Sequence, residues 1–113
     1  MTHIRKLATT TALLFALTAS VASTATAATQ TLTGVITDDM CGKKHTMMPG
    51  KPDADCVRAC VKAGSKYALL SGDKMYALKG DTRQIAQLAG RRAKVSGEVN
   101  GAAISVSSIA PAQ

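Results

Sequence analysis

The sequence is poor in aromatic residues. Among its 113 residues there is no Trp, one Phe and two Tyr. Proteins that bind single-stranded nucleic acid stack the bases on several aromatic rings, so this composition argues against that function although the formal net charge is +7. Ala, Val, Leu and Ile must then fill the core. A core that is both small and poor in large side chains gains little from packing, so a disulfide or a bound metal would add useful stability.

The first 28 residues have the pattern of a secretory signal peptide. Arg5 and Lys6 precede an uncharged apolar stretch over residues 7–21, and the stretch 25–28 (Ala-Thr-Ala-Ala) fits a signal-peptidase site. A membrane anchor needs about 20 strongly apolar residues, and this stretch is shorter and diluted by Thr. We therefore predict cleavage after Ala27 or Ala28, a periplasmic or secreted protein, and no transmembrane segment in the mature chain.

Cleavage would change the composition of the working part of the chain. Arg5 and Lys6 belong to the 14 basic residues, so 12 basic residues would remain against 7 acidic ones. Phe15 and His3 would also be lost, which leaves His45 as the single histidine. The remaining positive charge predicts solvated basic faces, or contact with an unknown anionic envelope partner, rather than binding to nucleic acid.

The mature part, residues 29–113, is predicted to be one domain that is mainly β. Apolar alternation and β-branched residues predict strands over residues 31–37, 66–70, 74–78, 91–99 and 103–109. The short stretches 71–73 (Ser-Gly-Asp) and 100–101 (Asn-Gly) are typical of tight β-hairpin turns.

Two short helices are predicted between these strands. The first covers residues 54–63, with Asp53 as its N-cap and Gly64 as its end, and the second covers residues 83–89. Five strands with a helix between the third and the fourth is the order of a small five-stranded OB-like barrel, here with a loop and helix inserted between the first and second strands. A small open β-sandwich or an α+β roll would fit the same order.

A Cys/His cluster is the chemically distinctive feature. Cys41 and His45 are four residues apart, and Cys56 and Cys60 share one face of the first predicted helix. Thiolates and imidazole are common Zn²⁺ ligands, while Cu(I) prefers sulfur and has Met40, Met47 and Met48 nearby. We therefore predict a soft-metal site, for Cu(I) or Zn²⁺, formed by Cys41, His45, Cys56 and Cys60.

Two alternatives use the same cysteines without a metal. A disulfide from Cys41 to Cys56 or Cys60 would close a loop of about 15 to 20 residues, contribute about 3 kcal/mol and leave one thiol, in a structural or interaction module of the envelope. A thiol redox protein would instead use Cys56 and Cys60. A catalytic Cys–His pair needs a third group to orient the imidazole, and the sequence offers no recognisable one, so no enzymatic activity is predicted.

The motif also supports a family resemblance. The stretch from Asp38 to His45 contains Cys-Gly-x-x-His, and the stretch from Asp55 to Tyr67 contains Cys-x-x-x-Cys. In these elements, and in its β-rich C-terminal half, the chain resembles an uncharacterised family of small exported bacterial proteins, a domain of unknown function with an OB-like β-barrel. The resemblance covers nearly all of the mature chain. It implies a fold and a location outside the cytoplasm, and it implies no activity.

Overall fold

A computed structural model describes Ala22 and residues 27–44 and 50–113. The predicted signal peptide lies almost wholly outside these residues, as do His45, Met47 and Met48. In the described part the elements follow the order β1 (Thr29–Asp38), α1 (Asp53–Lys62), β2 (Tyr67–Ser71), β3 (Lys74–Lys79), α2 (Thr82–Gln87), β4 (Arg92–Asn100) and β5 (Ala103–Pro111). The prediction of a mainly β domain with two short helices is therefore confirmed, and the first helix lies between β1 and β2 as expected.

The five strands form a single sheet whose pairings close into a ring. The strand order is β1-β2-β3-β5-β4, and β4 pairs back onto β1. All neighbouring strands are antiparallel except β3 and β5, which run parallel. β1 closes the ring, because its first part pairs with β4 and its last part pairs with β2. Val35 pairs with one residue of each neighbouring strand.

Both predicted hairpin turns are present. Ser71 pairs with Lys74 across the β2–β3 turn, and Asn100 pairs with Ala103 across the β4–β5 turn. In each case a glycine with positive φ, Gly72 or Gly101, is the first residue of the two-residue loop, which is where short hairpins of this kind place glycine.

The start of α1 differs from the prediction. The helix begins at Asp53, and Pro52 occupies the N-cap position. Within the described part of the chain, no side chain caps this helix. Proline has the φ angle of a helix entrance, and its carbonyl accepts hydrogen bonds from the backbone N–H groups of Asp55 and Cys56. Asp53 and Asp55 lie in the first turn, where their negative charges interact favourably with the helix dipole. α2 spans Thr82–Gln87 where the sequence predicted residues 83–89, and the Asp81 carboxylate caps it by accepting a hydrogen bond of 2.9 Å from the N–H of Arg83.

The core consists mainly of aliphatic side chains, as the composition requires. Tyr67 is its one aromatic member among the buried residues that the structure describes. The other buried members are Ile36, Val57, Leu69, Leu78, Ile85, Leu88, Ala89, Ala93, Val95 and Ile104. α1 contributes Val57, and this places the face that carries Cys56 and Cys60 against the end of β1.

Among residues 22, 27–44 and 50–113, no helix has the length and apolar character needed to cross a membrane.

Candidate metal site

The sulfur atoms of all three cysteines meet at one place. The Sγ atoms of Cys41, Cys56 and Cys60 lie within 4.8 Å of one another. The Sγ of Cys41 is 3.4 Å from that of Cys60. Cys56 and Cys60 are buried, whereas Cys41 is partly exposed. The cluster therefore has a closed side formed by the helix and an open side at Cys41.

Cys41 is held by the turn that ends β1. The Asp38 Oδ1 atom accepts hydrogen bonds from the backbone N–H groups of Met40, at 3.0 Å, and of Cys41, at 2.8 Å. The Asp38 carbonyl accepts a third from the N–H of Gly42, and the Thr37 hydroxyl donates to the Gly42 carbonyl at 2.7 Å. A short aspartate turn of this kind leaves Cys41 little backbone freedom.

Cys56 and Cys60 are held by one face of α1. Residues four apart on a helix lie one above the other on the same face. Val57 on this face is fully buried in the core, and the Arg58 Nε atom donates to the Ala86 carbonyl, which ties α1 to α2. The predicted shared face of Cys56 and Cys60 is therefore confirmed, and it presents both sulfur atoms towards Cys41 in the β1 turn.

Asp38 is a site residue that the sequence analysis did not identify. Its side chain is fully buried next to the cysteines, and its Oδ2 atom has no hydrogen-bond partner among the residues that the structure describes. A sequence signal does exist. Strand alternation places Asp38 on the same face as the buried Ile36, if β1 is extended by one residue beyond the predicted end.

The distances between the sulfur atoms fit metal coordination better than a disulfide. All three cysteines are free, and 3.4 Å is well beyond the bonding distance of about 2.05 Å. Thiolates bound to one Zn²⁺ at about 2.3 Å, in tetrahedral geometry, have sulfur atoms about 3.8 Å apart. Only a small adjustment would therefore bring the three sulfur atoms onto a common ion.

The prediction that Cys41, Cys56 and Cys60 lie close together is thus confirmed. His45 was predicted as the fourth ligand and lies outside the described residues, so its role stays a prediction. No protein-family model matches this chain, and no curated protein or solved structure matches it either. The resemblance to an uncharacterised exported family likewise stays a prediction.

The surroundings of the cluster disfavour thiolates when no cation is bound. The hydrogen bond with Cys60, burial and the Asp38 carboxylate together raise the pKa of Cys41 to about 12. The hydrogen bond from Cys41 lowers the pKa of Cys60, but burial and Asp38 outweigh it, and the pKa is raised. Nucleophilic cysteines need a lowered pKa. The raised pKa values therefore do not favour a nucleophilic role for Cys41 or Cys60 in the metal-free protein.

This pKa predicts slow alkylation of Cys41. At pH 7.5 the reaction of Cys41 with iodoacetamide should be at least about tenfold slower in the folded, metal-free protein than in the same protein in urea. The rate in the folded protein should continue to rise above pH 9, where the rate of an ordinary thiol levels off, towards the pKa of about 12. Peptide mass spectrometry of time-quenched samples measures this. A rate at Cys41 that levels off near pH 8 would contradict the prediction.

Proposed function

We propose that this protein is a non-enzymatic domain that binds one soft transition-metal ion, Cu(I) or Zn²⁺, through Cys41, Cys56 and Cys60. The observation that carries the proposal is the approach of three cysteine Sγ atoms to within 4.8 Å of one another from two separate elements. Sulfur-rich sites of this kind select Cu(I) and Zn²⁺ over harder ions such as Mg²⁺ and Ca²⁺.

Electrostatics supports a cation as the occupant. Among the described residues, the Asp38 Oδ2 atom has no hydrogen-bond partner. The three thiols lie together, and the negative charge of the buried Asp38 carboxylate raises the pKa values of Cys41 and Cys60. A bound metal cation reverses this effect, because it attracts both the thiolates and the carboxylate. Metal binding would then release protons from the cysteines.

The site would leave room for a fourth ligand if the ion is Zn²⁺. Three thiolates and one imidazole form a common tetrahedral zinc set. We propose His45 as that ligand on the strength of its spacing from Cys41. Replacement of His45 by Ala should then weaken Zn²⁺ binding much more than Cu(I) binding, because Cu(I) is satisfied by three sulfur ligands or fewer.

The deciding experiment is a metal titration of the reduced protein. Purified protein is stripped of metal under anaerobic conditions and titrated with Zn²⁺, and separately with Cu(I), in competition with a chromogenic chelator. We expect one equivalent of metal to bind, with protons released to the buffer and a higher melting temperature. Native mass spectrometry gives the stoichiometry. Failure of the reduced protein to bind either ion would reject the proposal.

A second candidate function is a disulfide-stapled structural or interaction module. The specific observation in its favour is the 3.4 Å contact between the Sγ atoms of Cys41 and Cys60, because a modest movement would allow these two to bond. Intact mass before and after alkylation separates the two functions. Protein isolated from its native compartment would have one free thiol in the stapled module, and three in the metal-free form of the metal site.

Location and fold complete the proposal. We propose that residues 1–28 direct export and are removed, so that the domain works in the periplasm or outside the cell, where contact with an envelope partner is possible. N-terminal sequencing of the mature protein tests this. We further propose that the closed ring is OB-like, because it has five strands in the order β1-β2-β3-β5-β4 and a helix between the third and fourth strands of the chain.

A further inference from the structure

Two methionine side chains are exposed near the turn that holds Cys41: Met40 lies within that turn, and Met75 packs against Gly42. Among the large hydrophobic residues that the structure describes, Met40 and Met75 are the exposed ones, with 62% and 38% of their surface accessible. Met40 immediately precedes Cys41, the one partly exposed cysteine. Met75 lies on β3, 34 residues after Cys41 in the chain.

The fold brings Met75 to the cysteine turn. Gly42 is buried with a positive φ of 57°, and a methyl group added to it would lie 3.2 Å from the Cε of Met75 and 4.0 Å from its Sδ. The same turn is tied to the β2–β3 hairpin, because the Lys43 Nζ atom contacts the Asp73 carboxylate at 2.7 Å. The thioether of Met75 therefore lies against the residue bonded to Cys41.

A thioether ligand adds no negative charge to this cluster, whereas a thiolate does. Every thiolate that binds an ion adds a negative charge close to the buried Asp38 carboxylate. The repulsion between the thiolates and the Asp38 carboxylate is offset less by Cu(I) than by Zn²⁺, because Cu(I) supplies only one positive charge. A thioether is a soft, neutral ligand that Cu(I) accepts and Zn²⁺ rarely uses. Methionine ligands would thus allow a monovalent ion to bind with fewer thiolates.

We propose that Met40 and Met75 bind Cu(I) at the cysteine site in place of one or two of the thiolates and make the site selective for Cu(I) over Zn²⁺. This inference rests on the proposed metal-binding function and specifies its ion. Cu(I) keeps its oxidation state on binding. Each cysteine that binds gives one proton to the solvent, and each methionine binds without losing a proton.

The test compares metal affinities of the full chain and of Met→Leu variants, which keep the apolar bulk and remove the sulfur. Cu(I) affinity is measured anaerobically against a chromogenic Cu(I) chelator, and Zn²⁺ affinity against a zinc chelator. In the double variant Met40→Leu/Met75→Leu we expect Cu(I) affinity to fall about tenfold or more and Zn²⁺ affinity to stay unchanged. Lys74→Ala, an exposed change next to Met75, is the matched control and should alter neither affinity.

The possible outcomes separate this inference from the proposed function. If the unaltered chain binds neither ion, both are rejected. If it binds Cu(I) and the double variant binds it equally well, the methionines are not ligands, and the cysteine site survives. An equal loss of Cu(I) and Zn²⁺ affinity would point to packing of Met75 on Gly42 and would also overturn the inference. Should Met75→Leu lower the melting temperature of the metal-free protein, Met40→Leu alone, at a mostly exposed position, decides the question.

Discussion

Replacement of Cys56 by Ser should remove high-affinity metal binding. Cys56 is one of the three proposed sulfur ligands and is 1% exposed, so water cannot easily take the place of its sulfur atom. Loss of a residue that merely supports a ligand costs about 10- to 100-fold in affinity, and loss of a ligand should cost more, so we expect a fall of more than about 100-fold. Chelator competition with Zn²⁺ and with Cu(I) measures the effect.

Val57→Ala is the matched control for this prediction. Val57 is the next residue on α1 and is fully buried in the hydrophobic core, but it has no atom that binds a metal. We expect this variant to lose about 2 kcal/mol in free energy of unfolding and to keep its metal affinity. If Cys56→Ser binds metal as tightly as the unaltered protein while Val57→Ala behaves as expected, Cys56 is a core residue and not a ligand.

Gly97→Ala should strongly destabilise the fold. Gly97 lies on β4 at a bulge opposite β5, and a Cβ atom there would overlap the backbone carbonyl of Ser105 and lie 3.1 Å from the Cγ2 of Ile104. Because a backbone carbonyl cannot move aside as a side chain can, we expect a loss of about 3 kcal/mol, the upper end of the usual cost of overpacking. Domains of this size have only about 5–15 kcal/mol of stability in total. Urea unfolding followed by circular dichroism measures the loss.

A second glycine variant distinguishes two causes of instability, the lack of space for a Cβ atom and the cost of a left-handed backbone conformation. Gly72, in the β2–β3 turn, has a φ of 60° and no atom within 4 Å of an added Cβ. Gly72→Ala should therefore cost only the left-handed backbone penalty of about 1–2 kcal/mol. A smaller loss for Gly97→Ala than for Gly72→Ala would mean that β4 and β5 do not approach each other as closely as the structure describes.

For α1, which carries two of the cysteines, the sequence alone predicted the shared face correctly and the N-cap wrongly. Two residues four positions apart share a helix face whatever the rest of the chain does, so the pairing of Cys56 with Cys60 follows from spacing alone. The N-cap was wrong because Asp53 is a strong cap by type, whereas the φ angle of Pro52 already starts the helix one residue earlier. Rules of residue preference cannot decide between two adjacent start signals.

Asp38 and Met75 illustrate what local patterns do not reveal. An aspartate after a strand is typical of a turn, and Asp38 does organise a turn, yet its side chain is also fully buried beside the cysteines. Met75 looked like an ordinary strand residue. It comes near Gly42 because β2 pairs with β1 on one side and with β3 on the other.

Strand alternation, turn residues and helix spacing are interactions between near neighbours in the chain, and they were enough to locate five strands, two helices and the shared face of Cys56 and Cys60. The position of Cys41 beside that face, 15 and 19 residues away, was decided by the packing of α1 on the end of β1. The closure of the ring by β1 and β4 was likewise a tertiary event, as was the placing of Met75. Such contacts depend on how whole strands and helices pack together, and residue patterns within short stretches of sequence do not determine that packing.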